Sequence, residues 1–268
     1  MKLIFTLSLL ISLSGHAQII KNTSNLFLRA KADNKGKTPA LIVEESLAHY
    51  EKFVALNVNS PKISTVYLND KNKPRKLSLE NGQKIIDASI INPVVSSTPV
   101  VDYDPEKRGI GYCFGRAMFS HLYLMINNFN RSNIKKAFII GPMGKGVWAW
   151  HMVTIAQSAD PEGKEIWLAL DPNFGRPVEL KEWYNHWLTT SDNGKLRLYI
   201  TESSKFAVSA FKYNEATLAN KFYHGYFLDM REWFDDNDIS RELIFERPSL
   251  RPRLSPAYYT NNTKSFFE

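Results

Sequence analysis

The chain has 268 residues, of which 44% are hydrophobic, and it contains a single cysteine. This share of apolar residues supports a real hydrophobic core and excludes disorder over most of the chain. The formal charge of +7 comes from dispersed Lys and Arg residues, with no basic helix or aromatic-basic platform, which argues against a nucleic-acid-binding protein.

The N-terminus has the pattern of a secretory signal peptide. Met1 and Lys2 precede an apolar stretch from Leu3 to Leu13, and small residues lead up to Ala17. The stretch is shorter than the roughly 18 residues that a membrane-spanning helix needs, although an N-terminal membrane anchor is the alternative. We therefore expect residues 1–17 to be removed and the mature protein to be secreted or periplasmic, without a membrane partner.

An N-terminal region, residues 18–97, carries mixed signals. The expected elements are strands over 40–43 and 63–68, a helix over 44–56, a turn over 69–75, a tight turn at Asn81-Gly82 and an extended segment over 85–95. The stretch from Ser96 to Pro105 has little periodicity and is a candidate boundary. It separates this region from a second one, residues 98–247, which is followed by a loosely packed tail, residues 248–268.

The second region opens with a predicted buried helix. Apolar residues recur at three- and four-residue spacing from Phe114 to Phe129, which indicates a helix that begins near Cys113 and ends around residues 127–130. Gly109 and Gly111 let the backbone turn tightly ahead of it. Cys113 is therefore expected in the first turn of this helix.

Strands dominate the chain after this helix. The expected elements are strands over 134–141, 147–156, 165–170 and 196–200, and helices over 180–188 and 216–234. The turn sequence Asp-Pro-Glu-Gly at 160–163 joins the second and third of these strands into an antiparallel hairpin. Asp171-Pro172 ends the third strand, since proline cannot continue a central ladder.

Cys113 is a candidate nucleophile. An exported chain with one cysteine cannot form an intramolecular disulfide. At a helix N-terminus, the unpaired backbone N–H groups and the helix dipole favour the thiolate, and Arg116 adds positive charge nearby. A buried, inert thiol and an intermolecular linker are the alternatives.

His151 and Asp171 are the expected partners of this nucleophile. If they lie directly opposite each other, the hairpin centres on Pro161, inside the predicted turn, and both side chains lie on the same sheet face. A base oriented by a carboxylate activates a cysteine, so the three residues form a candidate catalytic triad. The alternatives are a structural histidine and a turn-forming aspartate. No two His or Cys residues have ligand spacing, so no metal site is expected.

Three motifs resemble those of the bacterial protein-glutaminases. The sequence Gly-Tyr-Cys-Phe-Gly-Arg-Ala at 111–117 is similar to their Gly-Cys-aromatic-x-Arg-Ala segment, with one extra residue between Gly and Cys. The sequence Trp-Ala-Trp-His-Met-Val at 148–153 resembles their Ala-Trp-x-x-His-Val strand, and Leu-Asp-Pro at 170–172 resembles their Ile-Asp-Pro. The run at 175–178 leading to Trp183 is also similar. The family members have disulfide-rich mature domains, a feature that this chain lacks.

The resemblance implies an α+β fold with a papain/transglutaminase-like core, in which the nucleophile helix packs on an antiparallel sheet. It implies Cys113 as nucleophile, His151 as general base and acid, and Asp171 as the orienting group. The implied activity is protein-glutamine deamidation, without a cofactor, on proteins or peptides with exposed glutamine. By position and size, residues 18–97 resemble the family's pro-region, and a permanent accessory domain is the alternative.

The substrate channel and the reaction outcome are less closely defined by the sequence. Tyr112, Trp148 and Trp150 are candidate substrate-binding residues, and the backbone N–H of Cys113 is a candidate oxyanion donor. A transglutaminase or a cysteine protease would use the same triad. A non-catalytic domain with a vestigial triad is the alternative from a different functional class.

Overall fold

The structure, a computed structural model, describes residues 25–58, 76–97, 99, 101–103, 112–205, 207–209 and 221–236. The predicted signal peptide, the strand at 63–68, the turn at 69–75, the glycines at 109 and 111 and the tail at 248–268 lie outside these residues. In the described part, helices pack on one antiparallel sheet, which agrees with the expected mixture of helix and antiparallel strand. None of the described helices has the length and hydropathy needed to cross a membrane.

In the described residues, four helices precede the first strand, one lies between the fourth and fifth strands, and one follows the fifth. The elements are α1 (Leu26–Asp33), α2 (Pro39–Val58), α3 (Leu79–Ile91), α4 (Cys113–Ile126), β1 (Ile134–Met143), β2 (Trp148–Ala159), β3 (Glu165–Ala169), β4 (Val178–Glu179), α5 (Leu180–Thr189), β5 (Arg197–Glu202) and α6 (Lys221–Asp236). The strand order is β4-β3-β2-β1-β5, and all neighbouring strands are antiparallel.

Both faces of the sheet are buried, because successive side chains along each strand pack into two different cores. In β1, Ala137 and Ile139 pack with α2 and α5, whereas Phe138 and Ile140 pack with α4 and α6. Period-two alternation sends successive side chains to opposite faces, so each strand contributes to both cores. Helix α3 forms a third, smaller core with α4 at the end of the sheet.

Three predictions for the N-terminal region are wrong. Residues 40–43 belong to α2 instead of a strand, and the Asn81-Gly82 pair and most of the predicted extended segment lie in α3. Ser78 caps α3 through its side chain, and Ile85 and Ile86 are buried in the third core. Tertiary packing therefore overrides the β-branched and turn-forming preferences of these residues.

The predictions for the second region are confirmed, with small shifts of the boundaries. Helix α4 begins at Cys113, and the predicted strands become β1, β2, β3 and β5. The strand predicted from residue 147 begins at Trp148 and extends to Ala159. The predicted helices appear as α5 and α6, the latter over Lys221–Asp236, and residues 216–220 of the second prediction lie outside the described residues. The segment of the chain that carries the candidate triad therefore folds as its periodicity indicates.

A buried lysine links α4 to the sheet through hydrogen bonds. The Nζ atom of Lys136 donates to the carbonyl of Ala117 and to Oγ1 of Thr154, each at 2.5 Å. The hydroxyl of Thr154 donates to the same carbonyl. Lys136 is fully buried, and burial holds its pKa well below the usual range. Its amine is therefore deprotonated far more readily than that of a surface lysine.

Candidate active site

His151 and Asp171 meet at the open end of the β2–β3 hairpin. Nε2 of His151 lies 2.7 Å from Oδ2 of Asp171. The predicted register, in which His151 lies directly opposite Asp171, is wrong by two residues. Ile155 lies opposite Ala169, so the hairpin centres one residue after Pro161. A shift of two residues preserves the face, since side chains alternate with a period of two. The two side chains still converge.

Asp171 is held by donors from two directions. The indole Nε1 of Trp183 donates to Oδ2 at 2.8 Å, and the backbone N–H of Asn173 donates to Oδ1 at 3.1 Å. Burial alone would raise the pKa of this carboxyl, but His151 and these donors outweigh burial and lower it to about 2. Asp171 is therefore a fixed negative charge at neutral pH.

The environment of His151 favours its protonated form. Burial alone would lower the pKa of the imidazole, but the attraction and hydrogen bond of Asp171, together with those of the Cys113 sulfur, raise it to about 9. The hydrogen bond to Asp171 uses Nε2 of His151. Nδ1 is therefore the ring nitrogen that remains for the sulfur of Cys113. The rings of Trp187 and Trp183 pack beside the imidazole, with centroids 4.5 and 5.7 Å from its centroid.

Cys113 is the first residue of α4, and its side chain is free of any disulfide. Tyr112 is the N-cap residue and makes no side-chain capping bond. Its carbonyl instead accepts from the N–H groups of Gly115 and Arg116, at 3.0 and 3.1 Å. The helix N-terminus therefore lies at Cys113 without a competing polar side chain from the cap.

One cavity of about 230 Å³ is lined by both Cys113 and His151. Its lining residues are Phe27, Cys113, Arg116, Val147, Trp148, Ala149, Trp150 and His151. The predicted binding residues Trp148 and Trp150 belong to this lining. Tyr112 does not, and its ring stacks on that of Tyr226 at 5.6 Å. The cavity is smaller than the roughly 300–1,000 Å³ of pockets for drug-sized ligands, which suits a single side chain.

The turn between β1 and β2 leads into the rim of this cavity at Val147. Lys145 has a φ of 60°, in the left-handed region that non-glycine residues rarely adopt. The carboxylate of Asp192 accepts from the N–H groups of Lys145 and Gly146 at 2.7 and 2.6 Å. These bonds fix the turn and present Val147, which is 74% exposed, at the cavity mouth.

Two side chains of the site carry no sequence signal for a role there. Trp183 was part of the family resemblance, but nothing in its segment indicated a bond to Asp171. Phe27 comes from α1, far from the triad in sequence, and carries no motif.

The described residues include no group of three or more His, Cys, Asp or Glu side chains placed to hold a metal ion.

Comparison with known proteins gives structural neighbours of one kind. No protein-family model matches the sequence, and no curated protein matches it. The NMR structure of protein-glutaminase from Chryseobacterium proteolyticum is similar at 17% identity and a TM-score of 0.41, over 58% of this chain and 89% of that one. A crystal structure of protein-glutaminase gives the same identity and TM-score, over 58% and 90%. A crystal structure of pro-protein-glutaminase has 17% identity and a TM-score of 0.39, over 55% and 56%.

Proposed function

We propose that the protein is an exported protein-glutamine deamidase of the protein-glutaminase type, with a papain/transglutaminase-like arrangement of Cys113, His151 and Asp171. The observation that carries the proposal is the buried 2.7 Å contact of His151 with Asp171, in a site whose cavity is also lined by Cys113. A base oriented by a carboxylate beside a cysteine is the arrangement that cysteine acyl-transfer chemistry requires. The three matching motifs supply the choice of glutamine as substrate.

In the proposed reaction, the thiolate of Cys113 attacks the side-chain amide carbon of a glutamine in a protein. The raised pKa of His151 keeps the imidazole protonated at neutral pH, so it can donate a proton to the amide nitrogen, which leaves as ammonia when the C–N bond breaks. Water then attacks the thioester while His151 takes its proton. The bond to sulfur breaks, which regenerates the thiolate and leaves glutamate. The N–H of Cys113 at the helix N-terminus is the proposed oxyanion donor.

Ammonia release from casein, together with mass spectrometry of the product, tests the proposal. Wild-type protein is expected to release ammonia and to convert amides to acids without new peptide ends or cross-links. Cys113→Ala is expected to abolish the release. Cross-links would identify a transglutaminase, and new peptide ends would identify a protease.

Alkylation of Cys113 separates an inactive domain from an enzyme tested on the wrong substrate. A thiolate paired with the His151 imidazolium reacts with iodoacetamide even at about pH 6. Slow alkylation at that pH, combined with no ammonia from any protein substrate, would reject the enzyme proposal and leave a vestigial triad.

A further inference from the structure

We propose that α1 is a permanent wall of the catalytic pocket and that Phe27 contacts an apolar residue next to the reacting glutamine. The choice of glutamine rests on the proposed function, whereas the wall does not. Phe27 lines the same cavity as Cys113 and His151. Sequence alone left two roles open for residues 18–97, a removable pro-region and a permanent part of the protein, and the packing of α1 and α2 favours the second.

Helix α1 is anchored in the core beneath the site. Leu26 is fully buried in the cluster that contains Cys113 and Phe114, and Ala30 is buried one turn later. The backbone N–H of Leu26 donates to the carbonyl of Val208 at 2.7 Å. The position of Phe27 is therefore fixed by the residues on both sides of it.

A buried arginine of the sheet depends on the N-terminal segment. Arg197 in β5 is 6% exposed, and its guanidinium donates to Asn34 Oδ1, Glu45 Oε2 and the Asp33 carbonyl at 2.8, 2.8 and 3.2 Å. All three acceptors lie in or between α1 and α2. Removal of one partner from a buried ion pair is strongly destabilising, because it leaves an uncompensated charge.

Helix α2 also covers part of one sheet face. Tyr50 and Phe53 are 3% and 1% exposed and belong to the core that includes Ile139 and Ile200. The ring of Phe53 lies 4.8 Å from that of Trp167 in β3. Loss of this helix would expose a large apolar surface, which favours retention of the segment in the working protein.

The chemistry of the pocket rim defines the expected substrate neighbour. Phe27, Val147 and Trp148 are 38%, 74% and 41% exposed, whereas Cys113 and His151 are 6% and 3% exposed. The reacting groups therefore lie below an apolar rim. A glutamine flanked by an apolar residue would bury both surfaces against each other on binding.

Kinetics with paired peptides test the role of Phe27. The two peptides carry one glutamine flanked by leucine or by serine. Phe27→Ala is expected to lower kcat/KM for the leucine peptide about 10-fold and to leave the serine peptide unchanged. Leu28→Ala is the matched control, since Leu28 is 67% exposed on the same helix and is absent from the pocket lining. Equal losses in both variants, or no loss in Phe27→Ala, would overturn the role of Phe27.

Alkylation of Cys113 gives a readout that does not depend on deamidation. The ratio of the rates with an N-benzyl haloacetamide and with iodoacetamide is expected to fall in Phe27→Ala and to stay unchanged in Leu28→Ala. If wild-type protein released no ammonia but this ratio fell as expected, the proposed function would fail and the pocket wall would stand. An unchanged ratio in Phe27→Ala would reject the wall.

Limited proteolysis of the full chain tests whether the segment is permanent. After cleavage, fragments that contain α1 and α2 are expected to co-elute with the fragment that contains Cys113 under native conditions, and fast alkylation is expected to follow that complex. A stable Cys113 fragment that has lost α1 and α2 and alkylates faster than the full chain would overturn the proposal.

Discussion

Nε2 of His151 lies 2.7 Å from Oδ2 of Asp171, and both side chains are almost completely buried. This contact joins the second strand of the sheet to the residue just beyond the third. It holds a positive and a negative charge together where neither would be stable alone, because burial disfavours each isolated charge.

Asp171→Asn keeps the shape of the side chain and removes its charge. The pKa of His151 is then expected to fall from about 9, since burial is no longer opposed by the carboxylate. We expect kcat/KM for the proposed deamidation to fall roughly 10²–10⁴-fold. NMR titration of His151 and kinetics measure the two effects. Glu182→Gln, at an exposed ion pair with Arg176, is the control and should change neither. An unchanged histidine titration in Asp171→Asn would contradict the assigned contact.

The same pair predicts how stability depends on pH. Asp171 has a lowered pKa in the folded state, so its contribution is present above about pH 4 and is lost as the pH falls towards 2. His151 has a raised pKa, so its contribution is complete below about pH 6.5 and is lost as the pH rises towards 9. Urea unfolding should show wild type exceeding Asp171→Asn most strongly between these limits. A difference that is constant from pH 3 to pH 9 would be inconsistent with the pair.

Trp183→Phe removes the indole donor to Asp171 and keeps most of the ring. A hydrogen bond to a charged group contributes about 1.5–3 kcal/mol, so we expect a loss of stability of that order, in addition to the small loss of packing. Trp167→Phe is the matched control, because Trp167 is equally buried and its Nε1 has no hydrogen-bond partner in the described part of the chain. Urea unfolding should rank Trp183→Phe as the more destabilised variant. Equal losses would mean that the bond to Asp171 contributes nothing.

Lys136→Arg is expected to be more damaging than Lys136→Met. Arginine cannot lose its proton, so this change would bury a charge without a carboxylate partner at a cost of about 3–5 kcal/mol. Methionine loses only the hydrogen bonds to Ala117 and Thr154, about 1 kcal/mol each. Lys135→Arg, beside it and paired with Glu202, should have little effect.

The pH dependence of these lysine variants provides a second check by urea unfolding. The folded-state pKa of Lys136 is depressed, so wild-type stability should rise as the pH approaches the ordinary lysine value. Lys136→Met should lose this rise. A protein in which Lys136→Arg is as stable as wild type would show that the amine is solvated or paired.

The sequence alone could predict those parts of the candidate site that depend on local geometry. The hairpin turn at 160–163 and the period-two alternation of β2 bring His151 and Asp171 to one face, even though the register is shifted by two residues. The three- and four-residue spacing of apolar residues likewise locates α4 and its first residue.

The rest could not be predicted because it depends on contacts between distant segments. Ile85 and Ile86 favour a strand by propensity but are helical, since their side chains fill the core beside α4. Phe27 reaches the pocket only because Leu26 is anchored in the core, which no periodicity in its own segment encodes. Gly82 lies within α3 at a close approach to Pro177, where a Cβ atom would lie 2.8 Å from the proline ring and would force a shift.

The amine of Lys136 also makes the interior of the protein chemically observable. An unprotonated amine attacks the acyl carbon of an acylating reagent, yet Lys136 is enclosed between α4 and the sheet and has no exposed surface. A reagent can reach it only while α4 has separated from the sheet. The rate of acylation at Lys136 therefore measures how often the helix that begins at Cys113 opens in the native protein, as amide hydrogen exchange does for the backbone.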